Sequence, residues 1–235
     1  MIEQLQKIID ESNNIVFFGG AGVSTESGIP DFRSESGLYK EKYEFPAEMI
    51  VSHSFFVENP HYFYKFYFDK LVYPNVLPNE CHKKLKELED KGKLKAIITQ
   101  NIDGLHEMAG SKNVINLHGT IYSNHCISCG KSFSLESMLK FKGSIPTCPC
   151  GGIIKPDVVL YEEPLNEDSI QKSIQYIEEC DTLIVGGTSL NVYPAAGLIN
   201  YFKGRNLVVI NKDKLNINNC LQINKPIAEV FAKIK

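Results

Sequence analysis

Gly19-Gly20-Ala21-Gly22-Val23-Ser24-Thr25-Glu26-Ser27-Gly28-Ile29-Pro30-Asp31-Phe32-Arg33 follows directly on the apolar run Ile15-Val16-Phe17-Phe18. A short β-rich run bounded by glycines reads as a buried strand. Glycines just past such a strand let the backbone turn tightly and approach a ligand closely. Amide N–H groups in that turn can cradle a diphosphate. The stretch is therefore read as a dinucleotide or phosphate loop opening an α/β fold. It departs from the dehydrogenase fingerprint G-x-G-x-x-G, because Thr25 stands at the third glycine. Pro30 would break a following helix early, leaving Asp31, Phe32 and Arg33 where that helix would continue.

The 235 residues suffice for one large domain, or for one domain with an insertion. Composition is that of a soluble globular protein, 43% hydrophobic and 23% charged. A net charge of −3 gives no global basic field for nucleic acid. No apolar run approaches membrane-spanning length. Met1-Ile2-Glu3-Gln4-Leu5 lacks the basic region and long apolar core of a signal peptide. The expectation is a cytoplasmic protein without direct nucleic-acid or membrane partners.

Outward from the loop, Ile2, Leu5, Ile8 and Ile9 fall at helical spacing before the first strand. Residues 34–76 show no clear strand and are crowded with aromatics, which suits short helices. No acid ends a second strand about twenty residues after the glycines, as a dehydrogenase would require. A helix is expected over 80–91, closed by Gly92. Strands are expected at Leu94–Thr99 and Val114–Leu117. The first ends in Gln100-Asn101-Ile102-Asp103 and the second in His118-Gly119, polar groups where open α/β sheets bind ligands. Val158–Tyr161 is expected to resume the main sheet, followed by a helix carrying Ile170, Ile174 and Ile177. Thr182–Gly186 leads into a second small-residue loop, Gly187-Thr188-Ser189-Leu190. Pro194–Phe202 reads as a helix, Leu207–Ile210 as a strand ending at Asn211, and Ile227–Ile234 as a closing helix.

Seven cysteines is an odd count, and cytosolic thiols are normally reduced. Cys126-x-x-Cys129 and Cys148-x-Cys150 have the overall spacing of a four-cysteine structural zinc site. With all four positions taken by thiolates, such a site is closed and has no catalytic role.

Taken together, these motifs resemble the sirtuins, the Sir2-like NAD-dependent protein deacylases. The matching pieces are Gly20-Ala21-Gly22-Val23-Ser24 with Gly28 to Arg33; Thr99 to Asp103 with Leu105-His106; Leu117-His118-Gly119; the cysteine pairs; Gly187 to Leu190; and Val209-Ile210-Asn211. They run in the family's order along nearly the whole chain. The resemblance implies a Rossmann-like parallel sheet, about 1–33, 77–120 and 156–235. It also implies a small lobe made of a helical module, 34–76, and a zinc ribbon, 121–155.

The resemblance further implies NAD as co-substrate and a structural zinc ion. Gly20, Ala21, Gly22, Thr25, Asp31, Phe32 and Arg33 would form the phosphate and nicotinamide side of the cofactor loop. Asn101, Ile102 and Asp103 would hold the nicotinamide and its ribose, with Gln100 facing the ribose. Gly187, Thr188, Ser189 and Asn211 would contact the adenosine half, with Ile227 near adenine. His118 resembles the catalytic base, with Asn101 also catalytic, and Val159 and Tyr161 resemble the edge that pairs with a substrate peptide. The implied partners are proteins or peptides carrying acetyl-lysine. Tyr161-Glu162-Glu163 stands where the family commonly has Phe-Gly-Glu, adding a side chain beside the peptide groove. Sirtuins that remove succinyl groups resemble one another in a Tyr-x-x-Arg pair. Here Tyr64 and Tyr67 occupy those places, so both tyrosines are expected at the acyl pocket and a neutral acetyl group is expected there. A mono-ADP-ribosyltransferase, a non-catalytic NAD sensor and a dehydrogenase are the competing readings.

Overall fold

The computed structural model describes residues 1–34 and 37–235; residues 35 and 36, which fall in the expected helical module, lie outside the described residues. Helix α1 (Ile2–Glu11) leads into strand β1 (Ile15–Gly19), whose five residues are all buried. Short helices α2 (Ala47–Ile50), α3 (His53–Glu58) and α4 (Pro60–Phe66) follow, the last passing into a π-helical turn at Tyr67–Leu71. Next come α5 (Glu80–Asp90), β2 (Leu94–Thr99), α6 (Leu105–Met108) and β3 (Val114–Asn116). Strands β4 (Gly119–Cys126) and β5 (Ser132–Ser134), helix α7 (Leu135–Leu139) and strand β6 (Ile154–Val158) make the cysteine-bearing lobe. The chain ends with α8 (Glu167–Glu179), β7 (Thr182–Gly186), a 3-10 helix at Ala195–Tyr201, β8 (Asn206–Ile210), β9 (Leu221–Ile223) and α9 (Ile227–Phe231).

The main sheet is parallel in the order β3-β2-β1-β7-β8-β9. This is the doubly wound dinucleotide-binding order, with its reversal between β1 and β7. Alternation along β1 explains the two cores. Ile15 and Phe17 face α1, α5 and α9, with Leu5, Leu85 and Phe231 around them. Val16 and Phe18 face α8 and the 3-10 helix, with Ile177 and Leu198. Strands buried on both faces appear in sequence as unbroken apolar runs, which is how β1, β2, β7 and β8 read.

Several elements differ from expectation. Val158–Tyr161 does not rejoin the main sheet. Its first residue ends β6, which pairs antiparallel with β4 in a separate sheet ordered β5-β4-β6. Tyr161 then makes one isolated bridge to Ser52. The Pro194–Phe202 helix is 3-10, with Pro194 as its N-cap. Strands β4, β5 and β9 had no counterpart in the sequence reading.

Lys93, just before β2, ties the start of that strand to the segment leading into β1. Its Nζ donates to the carbonyls of Ile9, Asp10 and Ser12 at 2.8, 2.7 and 3.0 Å, a cation on the C-terminal end of α1. Lys93→Met keeps the stem and removes these bonds. It should cost about 1–2 kcal/mol and lower the melting temperature by roughly 2–8 °C. An unchanged thermal midpoint would contradict this anchoring.

Candidate active site and metal centre

One cleft of about 730 Å³ lies where the sheet order reverses, at the carboxyl ends of β1, β2 and β7. That is where open α/β sheets bind ligands, and the volume suits a cofactor-sized molecule. Every residue expected in the NAD or peptide site lines it, from Gly20 to Ile227.

The floor is backbone. Gly20 N–H donates to Gly186 O and Gly22 N–H to Gly187 O, at 3.2 and 2.8 Å. A Cβ on Gly22 would lie 2.8 Å from the Gly187 Cα. Gly187 has φ +57, and a Cβ there would fall 2.3 Å from the Val23 nitrogen. Glycine is required on both sides of this contact. The loop is fastened at four further points. Thr25 Oγ1 donates to Gly22 O, and Asn79, the N-cap of α5, donates to Val23 O and Ser27 Oγ. Glu26 accepts from Ala228 N at the start of α9, which seats Ile227 beneath the Gly186 turn. Asp31 Oδ1 accepts from the amides of Arg33 and Ser34.

A polar cluster stands over the end of β2. Asn101 is 8% exposed, and its Nδ2 donates to Ser24 Oγ at 3.0 Å. Ser24 Oγ donates in turn to Asp103 Oδ2 at 2.6 Å, while Asp103 Oδ1 accepts from Leu105 N. Burial raises the Asp103 carboxyl above the ordinary range, and the Ser24 hydroxyl opposes the rise. Gln100 Nε2 donates to Thr188 Oγ1, bridging the two strand ends. Asn211 follows β8, its Nδ2 on the carbonyl of Asp213. Ser189 lines the same wall.

His118 sits between the two sheets, after β3 and immediately before β4. Its Nδ1 lies 3.0 Å from Gln100 O. A carbonyl accepts only, so the neutral ring donates from Nδ1, leaving Nε2 with a free lone pair. Burial lowers its pKa from the usual value, and the Gln100 carbonyl partly opposes this. Gly119 fixes this junction: it has φ +76, and a Cβ would lie 1.8 Å from Asp157 O.

The rim holds Arg33, whose guanidinium donates to Tyr161 Oη at 3.0 Å and lies 5.1 Å from the centre of the Tyr39 ring. Phe32 packs against Tyr39 at 5.4 Å. Along the peptide edge, Val159 N–H donates to His118 O and Tyr161 N–H to Val51 O. Both amides are thus engaged internally, while both residues line the cleft. Tyr64 and Tyr67, expected at the acyl pocket, are not there. They are 1% and 0% exposed in the small-lobe core, and Tyr64 Oη donates to Ile154 O. The tyrosines face α7 and β6 instead of the cleft, whose apolar lining nearby comes from Phe32, Ile102, Val158 and Leu160. Sequence reading passed over Ser24, Tyr39 and Tyr193 as site residues. Ser24 lay in the quoted glycine loop, the one signal available for it.

The four cysteines converge as expected. The Sγ atoms of Cys126, Cys129, Cys148 and Cys150 lie within 4.8 Å of one another. Cys126 and Cys150 are 3.5 Å apart, and Cys129 and Cys148 are 3.7 Å apart. A zinc ion with Zn–S of about 2.3 Å in a tetrahedron needs sulfurs about 3.8 Å apart, so the set fits. Gly130 and Gly151, at φ +71 and +90, make the knuckle turns.

A profile of the Sir2 family matches residues 20–194. The chain is 58% identical over 221 residues to an NAD-dependent protein deacetylase of Clostridium acetobutylicum, covering 93% of this chain and 90% of that one. It is 57% identical to one of Clostridium perfringens, over 99% and 98% of the two chains. A solved Sir2 variant with deacetylated p53 peptide and 3'-O-acetyl ADP ribose superposes with TM-score 0.90 at 34% identity, covering 99% of this chain and 96% of that one. A Sir2–p53 peptide–NAD+ structure gives TM-score 0.87 at 35% identity, with coverage of 99% and 96%.

The cysteine geometry generates a metal test. Purified protein should carry about one zinc per chain. Cys148→Ser should lose it and loosen the small lobe, seen as faster proteolysis of 119–158 and a lower melting temperature. Full zinc retention by Cys148→Ser would contradict four-thiolate ligation.

Proposed function

The chain belongs to the Sir2 family, and from that premise we infer that it is an NAD-dependent protein lysine deacetylase. It consumes NAD and releases nicotinamide, O-acetyl-ADP-ribose and deacetylated lysine. The observation that carries this is the convergence of His118, Asn101 and Asp103 with the paired glycine turns on one cleft. The competing dehydrogenase reading needs a second strand ending in an acid about twenty residues after the glycines, but the next strand, β2, begins only at Leu94, and the acid past its end, Asp103, is tied to Ser24 and Leu105. The substrates are proteins or peptides bearing acetyl-lysine. Action in the cytoplasm on protein, without nucleic-acid or membrane partners, is part of this reading; the net charge of −3 gives no global basic field for nucleic acid, and no described helix is long and apolar enough to cross a membrane.

Bound NAD supplies a ribose carbon that turns electrophilic as nicotinamide leaves, and the acetyl oxygen of the substrate attacks there. The chain's own contribution is placement and proton control. Gly20, Ala21, Gly22 and Thr25 hold the diphosphate with Arg33, and Thr188, Ser189, Asn211 and Ile227 hold the adenosine half. Buried Asn101 and Asp103, locked through Ser24, hold the nicotinamide end so that the reacting atoms stay at attack distance. Such a preset polar cage lowers the barrier where charge develops on the ribose. His118 takes a proton at Nε2 from a ribose hydroxyl, because Nδ1 is committed to Gln100 O. The cysteine-bound zinc organises the lobe and takes no part in the chemistry.

Incubation with NAD and an acetylated peptide should yield equal amounts of nicotinamide, deacetylated peptide and O-acetyl-ADP-ribose by mass analysis. Protein-linked ADP-ribose as the main product would overturn the reading in favour of a transferase. His118 adds a pH signature. The active form is the neutral ring, and its pKa is lowered. Activity should therefore persist below the ordinary histidine value of about 6.5 and fall as pH drops through the lower folded value. His118→Ala should reduce kcat roughly 100- to 10,000-fold and abolish this acid limb. Wild-type turnover by the variant would remove His118 from the mechanism.

A further inference from the structure

Glu162 stands on the cleft wall just past Tyr161, with φ +76. This is backbone that side chains rarely adopt, at a position where the family pattern has glycine. Its own backbone N–H and C=O pair with no described residue. The neighbouring groups, by contrast, are committed: Val159 N–H to His118 O, Tyr161 N–H to Val51 O, and His53 N–H to Tyr161 O. Glu162 thus offers open backbone on this wall, as does the Val159 carbonyl, and such groups are what an extended peptide needs in order to pair.

Its carboxylate is exposed and accepts from Ser54 N and Ser54 Oγ, at 2.8 and 2.5 Å. Those bonds hold the carboxyl below the ordinary range, so it is ionised at neutral pH. Glu163, one residue on, is matched by Lys155 and His53. Glu162 makes no such ion pair among the described residues, its partner being neutral Ser54. The stretch 187–194, which lines the same cleft, carries no charged side chain and presents Tyr193 at 75% exposure. Two residues separate Glu162 from Val159, whose N–H donates to His118 O. The chain turns here, with Glu163 N–H donating to Leu160 O, so at about 3.3 Å per extended residue Glu162 lies at most roughly 10 Å from Val159.

We propose that Glu162 selects the substrate class, favouring acetyl-lysine peptides with an arginine or lysine within about three residues of the modified lysine. The inference rests on the deacetylase reading. A guanidinium there can bond the carboxylate and lie against the Tyr193 ring. An acidic residue beside Glu162 would meet like charge, whereas the nearest cation on the cleft, Arg33, is already bonded to Tyr161.

The test uses acetylated peptides identical except for Arg, Gln or Glu two or three residues from the acetyl-lysine, measured by fluorescence anisotropy and by kcat/KM. The wild-type protein should bind the Arg peptide about tenfold more tightly than the Glu peptide at low salt, a gap that narrows at high salt. Glu162→Gln retains an acceptor for Ser54, and Glu162→Gly suits the positive φ. Both should cut the Arg-to-Glu ratio to about twofold or less. Equal binding of the three peptides by the wild type, or an undiminished ratio in both variants, would overturn the proposal. Absence of turnover on every peptide would instead contradict the deacetylase reading, with anisotropy still reporting on Glu162.

Discussion

The hydrogen bond from Gly22 N–H to Gly187 O, at 2.8 Å, presses two strand-end turns together with no side chain between them. β1 and β7 are the central pair of the sheet, so the contact sits at its topological reversal. Much of the site hangs on the same loop. Ser24 reaches Asn101 and Asp103, Asn79 brings in α5, and Glu26 brings in α9. Elements distant in sequence are positioned by bonds to the stretch Gly19–Arg33, which its glycines mark out in the sequence.

The second organising point is the step from His118 to Gly119. There the chain leaves the parallel sheet and enters the antiparallel one, and only glycine fits against Asp157 O. The small lobe is therefore coupled to the chemistry through backbone. Its four clustered cysteines flank β4 and β6, β4 starts beside His118, and the segment after β6 lines the cleft. A structural metal about a lobe away can influence turnover without touching a reactant.

Much of this was legible in the sequence where burial was symmetrical or geometry obligatory. β1 and β7 are buried on both faces and show as apolar runs. The glycines and the four cysteines declare themselves by spacing. Legibility failed where tertiary partners decide the outcome. β4, Gly119 to Cys126, mixes buried Ile121 and Asn124 with exposed Tyr122, and the cysteine pattern overshadowed it. β9 has three residues, too few for a period to emerge. Val158 looks like part of a main-sheet strand, yet its pairing to Gly119 assigns it to the other sheet. Tyr64 and Tyr67 were placed by a motif register, but a helix has several faces. The one that carries them packs on the lobe core. Ser24 reaches Asn101 and Asp103 across the fold, an approach that no local pattern encodes.

Backbone contact between the glycine turns builds the cleft proposed to hold NAD for deacetylation. It is tested most directly by the KM for NAD of Gly22→Ala, measured on saturating acetylated peptide. The added methyl would meet Gly187 at 2.8 Å and push the turns apart. The expected result is a KM for NAD raised at least ~10-fold, equivalent to about 1.4 kcal/mol, with zinc content and far-UV circular dichroism unchanged. An unaltered KM for NAD in a folded variant would contradict the claim.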